Sequence, residues 1–220
     1  NMEALEDSPL QVRRQMMETA ALKVRRKDTV RVRESITLPG NKPAMEQILW
    51  KQVSLLATSA KSQDGSLLAE GQIQIFCLYE GEGEELPVQW FEETIPFSGT
   101  IELDQASEGM PSFTRMRLVH KELEAKPDAD GELRELDLDA VVELDIKIYE
   151  EEPLELVEDL YATDREIDVV REENQFDKIL TNTTGKCKIT DRMKYDPTDR
   201  ILQICHHDGQ IKIDQVEVKG

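Results

Sequence analysis

Apolar residues recur at every second position over much of this chain, and a period of two predicts strands rather than helices. The clearest run is Leu133–Tyr149. There Leu136, Leu138, Ala140, Val142, Leu144, Ile146 and Ile148 share one parity, and Asp137, Asp139, Glu143, Asp145 and Lys147 share the other. One face of such a strand is buried and the other wet, as in antiparallel sheets. From Glu70 to Phe97 the pattern is a hairpin on which the core is expected to centre. Ile73, Ile75, Cys77 and Tyr79 alternate with Gln72, Gln74, Phe76 and Leu78, two glycines and three glutamates interrupt at 81–85, and Val88, Trp90 and Ile95 to Phe97 resume the run. The turn is longer than the tight two-residue kind. Thr29–Leu38 sets Val30 and Val32 against Arg31 and Arg33 and stops at Pro39-Gly40. Ile101 with Leu103, and Phe113–Leu123, read as shorter strands.

Two stretches read differently. Ser8 and Pro9 suit the cap and first turn of a helix, and Leu10, Met17 and Ala21 then share a face, so 8–21 is expected as a short helix. Met45–Thr58 is expected to open as a helical turn or bend and run into a strand, with Ile48, Leu49, Trp50, Val53 and Leu55 buried. Trp50 and Trp90, each inside an apolar segment, are expected to be buried in the core. Many strands at short spacing with little helix predict a mainly β chain, an antiparallel β-sandwich with short helices.

Residues 10–38 also lie over 167–195 without gaps at an offset of 157. Leu10 falls on Ile167, Val12 on Val169, Val30 on Cys187, Val32 on Ile189 and Ile36 on Met193. With a small shift, Ile48-Leu49 matches Ile201-Leu202, and Val53 and Leu55 match Ile211 and Ile213. A period of that size is a domain, not a solenoid unit. The expected division is a connector over 1–28, a β domain over 29–164, and a linker with the opening strands of a following repeat over 165–220.

With 220 residues the chain has room for one good domain and part of another. No apolar run approaches the roughly 20 residues that span a bilayer, so no membrane span is expected. Asn1 before Met2, and the absence of a leader-like apolar stretch, read as an excised fragment with a tag remnant. Three cysteines without framework spacing fit a reducing compartment. The net charge of −19 is uneven. Residues 1–61 hold 11 bases and 7 acids, a net +4; 62–177 hold 8 and 33, a net −25; 178–220 hold 8 and 6, a net +2. The acidic middle repels a phosphate backbone, which argues against nucleic acid as a partner.

Chemistry is hard to find. Cys187, Cys205, His206 and His207 match no standard zinc spacing. Adjacent Cys205 and His206 on a strand point to opposite faces, which disfavours a nucleophile pair. Carboxylate pairs arise freely among 46 acids, and Asp128, Asp130 and Glu132 around Gly131 lack the full ligand set of a calcium loop. No phosphate-binding glycine loop is present. The expectation is no catalytic residue, no metal, no cofactor and no enzyme. The candidate interaction face is the wet side of the long strand: Asp137, Asp139, Glu143 and Asp145, continued by Glu150 to Glu152 and read as lacking neutralising partners. It suits a basic partner, or the basic start of a neighbouring module, such as Arg25, Arg26, Lys27, Arg31 and Arg33.

Four stretches carry a family resemblance: 36–55 (ITLPGNKPAMEQILWKQVSL), the hairpin beginning EGQIQIFCLYEGEGEELPVQWFEETIPF at 70, 135–164 (ELDLDAVVELDIKIYEEEPLELVEDLYATD) and 200–218 (RILQICHHDGQIKIDQVEV). In this order they resemble the SPOCS domain of endospore-forming bacteria, found in SipL-type coat proteins. The resemblance implies a non-enzymatic structural and protein-interaction module of spore coat assembly or attachment, in the mother-cell cytoplasm at the forespore surface. Its implied partners are other spore coat proteins, through a coat-basement ATPase in such proteins, and neighbouring modules of the same chain. The family often carries several modules and a terminal LysM domain, and this sequence contains no LysM stretch. The alternative reading is a carbohydrate- or peptidoglycan-binding sandwich. It requires exposed aromatics, for which Trp50, Trp90 and Phe91 are the candidates.

Overall fold

The computed structural model describes residues 10–83, 88–179, 188–192, 194 and 203–209. Six strands form in chain order: β1 (Leu10–Thr37), β2 (Met45–Gln63), β3 (Ser66–Gly81), β4 (Val88–Glu102), β5 (Ser112–Pro127) and β6 (Leu133–Ala162). They make two antiparallel three-stranded sheets, ordered β1-β6-β5 and β2-β3-β4. The alternating pattern explains both central strands. Every residue of even number from Leu136 to Ile148 on β6 is buried, as are Ile73, Ile75, Cys77 and Tyr79 on β3. The larger buried cluster draws on both sheets, joining Leu136, Leu138, Ala140 and Val142 to Ile73, Ile75, Cys77 and Tyr79. Approach is close: a Cβ on Gly99 of β4 falls 2.5 Å from Cγ2 of Val30 on β1. At the other side Lys51 Nζ of β2 donates to the Leu123 carbonyl of β5 at 2.6 Å, and Lys121 of β5 returns a bond to the Val53 carbonyl at 3.3 Å.

The turns follow from their residues. Asp64-Gly65 joins β2 to β3 between the paired Gln63 and Ser66, with Gly65 at φ 71°, where glycine carries no Cβ penalty. The stretch weighed as a calcium loop is the β5–β6 turn, where Asp128 Oδ1 accepts from the backbone of Asp130 (2.9 Å) and Glu132 (3.1 Å). That carboxylate caps a turn.

Two expectations are corrected. No described residue is helical: the stretch expected as a short helix, from Leu10 onward, is the first part of β1, residues 8 and 9 lie outside the described residues, and Met45–Thr58 is strand from its first residue. A cap and a loose helical spacing lose to an available partner strand, which supplies Val12 opposite Leu160 and Met17 opposite Leu154. Ion pairs follow the same register, Arg13 to Glu158 at 3.0 Å, Arg14 to Glu155 at 3.3 Å and Lys23 to Glu150 at 2.9 Å. The β1–β6 pairing therefore outruns β5 as a two-stranded ribbon, along which the chain returns. The Ala20 amide donates to the Asp177 carbonyl at 3.0 Å, and Lys178 meets Glu18 at 2.6 Å. Beyond Ala162 the described residues form no strand. Most positions compared in the internal repeat, including Cys187, Met193, Ile201, Leu202, Ile211 and Ile213, lie outside the described residues.

Candidate interaction surfaces

Each sheet turns one face to the shared core, so the outward parity is where a partner can be met. On β6 that parity holds Asp137, Asp139, Glu143 and Asp145, and the structure supplies the neutralising partners that the sequence did not reveal. Asp139 takes Arg31 Nε at 2.8 Å and Arg33 Nε at 3.2 Å; Asp137 takes Lys126 at 2.6 Å and the Ser35 hydroxyl at 2.7 Å; Glu143 takes Arg117 Nε at 2.8 Å and Lys27 at 3.7 Å. The register sets Asp145 between Lys27 and Arg115 without an ion pair to either among the described residues. Hydrogen bonds from Arg31 above all, then Arg33, hold the Asp139 carboxyl down to about 2, and those from Lys126 and Ser35 lower that of Asp137. The basic start of the chain and its acidic middle are thus cross-strand neighbours in one sheet.

The outward parity of β3 is unlike this. It runs Gln72, Gln74, Phe76, Leu78, and the row across the sheet reads Trp50, Leu78, Trp90. Phe76 packs against both tryptophans, with ring centroids 5.3 Å from Trp50 and 6.3 Å from Trp90, the latter stacked at 18°. Lys42 Nζ sits 5.0 Å above the Trp90 ring, within cation–π range. A fourth ring comes from outside the sheet. His206 lies 4.3 Å from Phe76 and 5.2 Å from Trp50.

The placement of Trp50 corrects the sequence reading: it is 44% exposed, and Trp90 is half-buried. Ile48 pairs with Tyr79 and Trp50 with Leu78, so Leu49 is an extra residue in the strand. Such a bulge puts residues of equal parity on opposite faces. Phe91, by contrast, belongs to the core cluster. Sequence reasoning missed Phe76 as the centre of the outward face. Its signal was present: a large ring on the parity of Gln72 and Gln74.

For nucleophilic chemistry the structure is unpromising. Cys77 is enclosed in the core, and burial pushes its thiol up to about 11, away from the reactive thiolate. Cys205 and His206 belong to the segment that meets the aromatic face. Among the described residues no three His, Cys, Asp or Glu side chains converge to hold a metal ion, and Cys187 lies outside those residues. No described helix is long and apolar enough to cross a membrane.

No curated protein matches this sequence, and no solved structure matches the fold. A family model does match: the one described as SipL, SPOCS domain, over residues 44–126. That span takes in β2, β3 and β4 whole and β5 up to its last residue, and so contains the aromatic row. Over that stretch the chain carries a SPOCS-type domain.

Proposed function

We propose that the chain is a non-enzymatic protein-interaction module of spore coat assembly or attachment, working in the mother-cell cytoplasm at the forespore surface. The observation that carries this reading is the SPOCS match over residues 44–126, since the family suggests a sporulation-related interaction module. Two buried clusters that each draw on both sheets support the picture of a β-sandwich module. Partners in this reading are other spore coat proteins and neighbouring modules of the same chain. In this reading the repeat at offset 157 is the start of such a neighbour. Asp137, Asp139, Glu143 and Asp145 keep their place as a candidate face, with the charge of three of them already met by bases of β1 and β5. A fluorescent fusion of this chain in a sporulating endospore former tests the proposal. It is expected to gather on the mother-cell side of the forespore; an even spread through the mother cell overturns it.

One observation favours the second reading, a carbohydrate-binding module. Trp50 and Trp90 stand on an outward face, which that reading requires and which the sequence argued against. Retention of the purified chain on spore cortex peptidoglycan, lost with Trp50→Ala, is the result it needs.

A further inference from the structure

Phe76 is 2% exposed, yet it belongs to neither buried hydrophobic cluster. Its nearest strand neighbours of the same parity are Gln74 and Leu78, both partly open to solvent, so the core does not bury it. Its cover comes from Trp50 and Trp90 on the flanking strands and from His206, which arrives from a segment with no strand pairing of its own. Two further large apolar side chains on the flanking strands are open to solvent, Leu49 at 43% and Val88 at 53%.

We infer that the outward face of the β2-β3-β4 sheet is a peptide-docking surface, whose occupant is an extended segment that lays one planar ring over Phe76 and against Trp50. In this structure the occupant is the chain's own segment 203–209, and the ring is that of His206. The docking continues past the ring. Asp208 lines one open groove of about 550 Å³ with Trp50, Gln52, Ser54, Lys51 and Lys121, which brings an acidic residue to the β2 edge where two lysines lie. Between the last paired residue, Ala162, and Gln203 there are 40 residues, and the chain is next fastened at Asp177 and Lys178. Being part of the same chain raises the effective concentration of this strap at this face without further contacts. This inference stands apart from the sporulation reading, because it concerns the purified chain alone.

The anchor ring is also imperfect, which defines the partner chemistry. Nε2 of His206 is shut from water and has no hydrogen-bond partner among the described residues. A buried polar atom left unpaired opposes docking. A ring without a polar edge, such as that of Phe, fits the same place without that opposition. The face therefore favours an extended segment with a Phe ring over the strap it now holds, and the strap is displaceable by such a segment.

The test uses the full chain with its two tryptophans replaced biosynthetically by 5-fluorotryptophan, so that each reports separately by fluorine NMR. His206 touches Trp50 and Phe76 and makes no ring contact with Trp90. His206→Ala is expected to move the Trp50 resonance toward its solvent-exposed position, to leave Trp90 nearly fixed, and to expose segment 203–209 to proteolysis. His206→Phe is expected to do the reverse, with stronger protection of the segment. An unchanged urea midpoint for the alanine variant is expected, since the substituted residue lies outside the sheets. Added in trans, a synthetic peptide of residues 203–209 with Phe at the His206 position is expected to restore the Trp50 shift in the alanine variant. Equal Trp50 positions and equal protease sensitivity in all three chains overturn the inference. So does retention of the alanine variant, but not the parent chain, on cortex peptidoglycan fragments, which makes the face a glycan platform under a cover.

Discussion

The outward faces of the two sheets are made by the same alternation and end in different chemistry. On the β1-β6-β5 sheet the outward residues are charges that answer one another: Arg31 and Arg33 at Asp139, Lys126 at Asp137, Arg117 and Lys27 at Glu143. On the β2-β3-β4 sheet they are rings, with Phe76 covered by Trp50, Trp90 and His206. The first face is wet and internally compensated; solvent-exposed pairs of this kind contribute little stability and discourage nonspecific association. The second hides apolar area behind a segment that is not part of the sheet. Net charge points a reader to the first face for partners. The geometry points to the second, because its cover is replaceable.

The largest break in this comparison is expected from Phe76→Ala. If Phe76 is buried by its own face, the variant loses about 3–5 kcal/mol in urea unfolding, as for a core phenylalanine. Val141→Ala, an outward position of β6 held half-buried between the charged rows, is expected to cost well under half of that. Equal losses at the two positions would abolish the distinction between the faces.

Gly99→Ala strikes what both sheets share. The added methyl meets Val30 at 2.5 Å, and neither partner is a flexible side-chain end, so the sheets must part or the strands must shift. Overpacking of this kind costs about 1–3 kcal/mol. The loss is expected to appear as a lowered urea midpoint, with the Trp50 environment unchanged, because the contact lies on the inner side.

Trp50→Ala is expected to cost about 1–2 kcal/mol, since roughly half of the side chain is already in water and full burial of a large apolar side chain is worth about 1.5–3 kcal/mol. A loss near the 3–5 kcal/mol of a buried tryptophan would mean that Trp50 turns inward after all. Chemical denaturation with the single variant distinguishes the two outcomes.

The legibility of this molecule follows the same line. β6 was readable from Leu133 to Tyr149 because its inward parity is unbroken, and β3 because Ile73 to Tyr79 alternate without a flaw. The first half of β1 was not, since LQVRRQMMETAAL alternates poorly and owes its conformation to β6 more than a hundred residues away. Trp50 was misplaced because the bulge at Leu49 changes its face, and nothing in ILW announces an extra residue. The charge ladder was hidden for the reason that hid β1: the bases and acids were visible as composition, but their pairing is a property of topology. The ring cluster had a partial signal in Phe76. Its fourth member, His206, lies 130 positions further on in a stretch whose neighbours suggest only a turn.

The smallest effect expected is on the charged face, and pH is the way to see it. Asp139 is held down to about 2 by its arginines, against 3.8 ordinarily, and Asp137 is lowered by Lys126 and Ser35. A carboxylate with a depressed folded value stabilises fully above its unfolded value, and that contribution is lost as pH falls through the folded one. The window is therefore below about 3.8 and down to about 2, where unfolding of the native chain steepens with acid. Asp139→Asn cannot titrate, so its stability profile is expected to be flatter across that window. Raising salt to about 0.5 M, where screening reaches only a few Å, is expected to shrink the difference between the two chains further. Phe76 and Trp50 have no charge to screen, and the Trp50 environment is expected to stay constant over the same salt range at neutral pH. A Trp50 signal that follows salt while the acid profiles of the parent and Asp139→Asn coincide would reverse the assignment, making the ring face the electrostatic one and the ladder a set of contacts without energetic consequence.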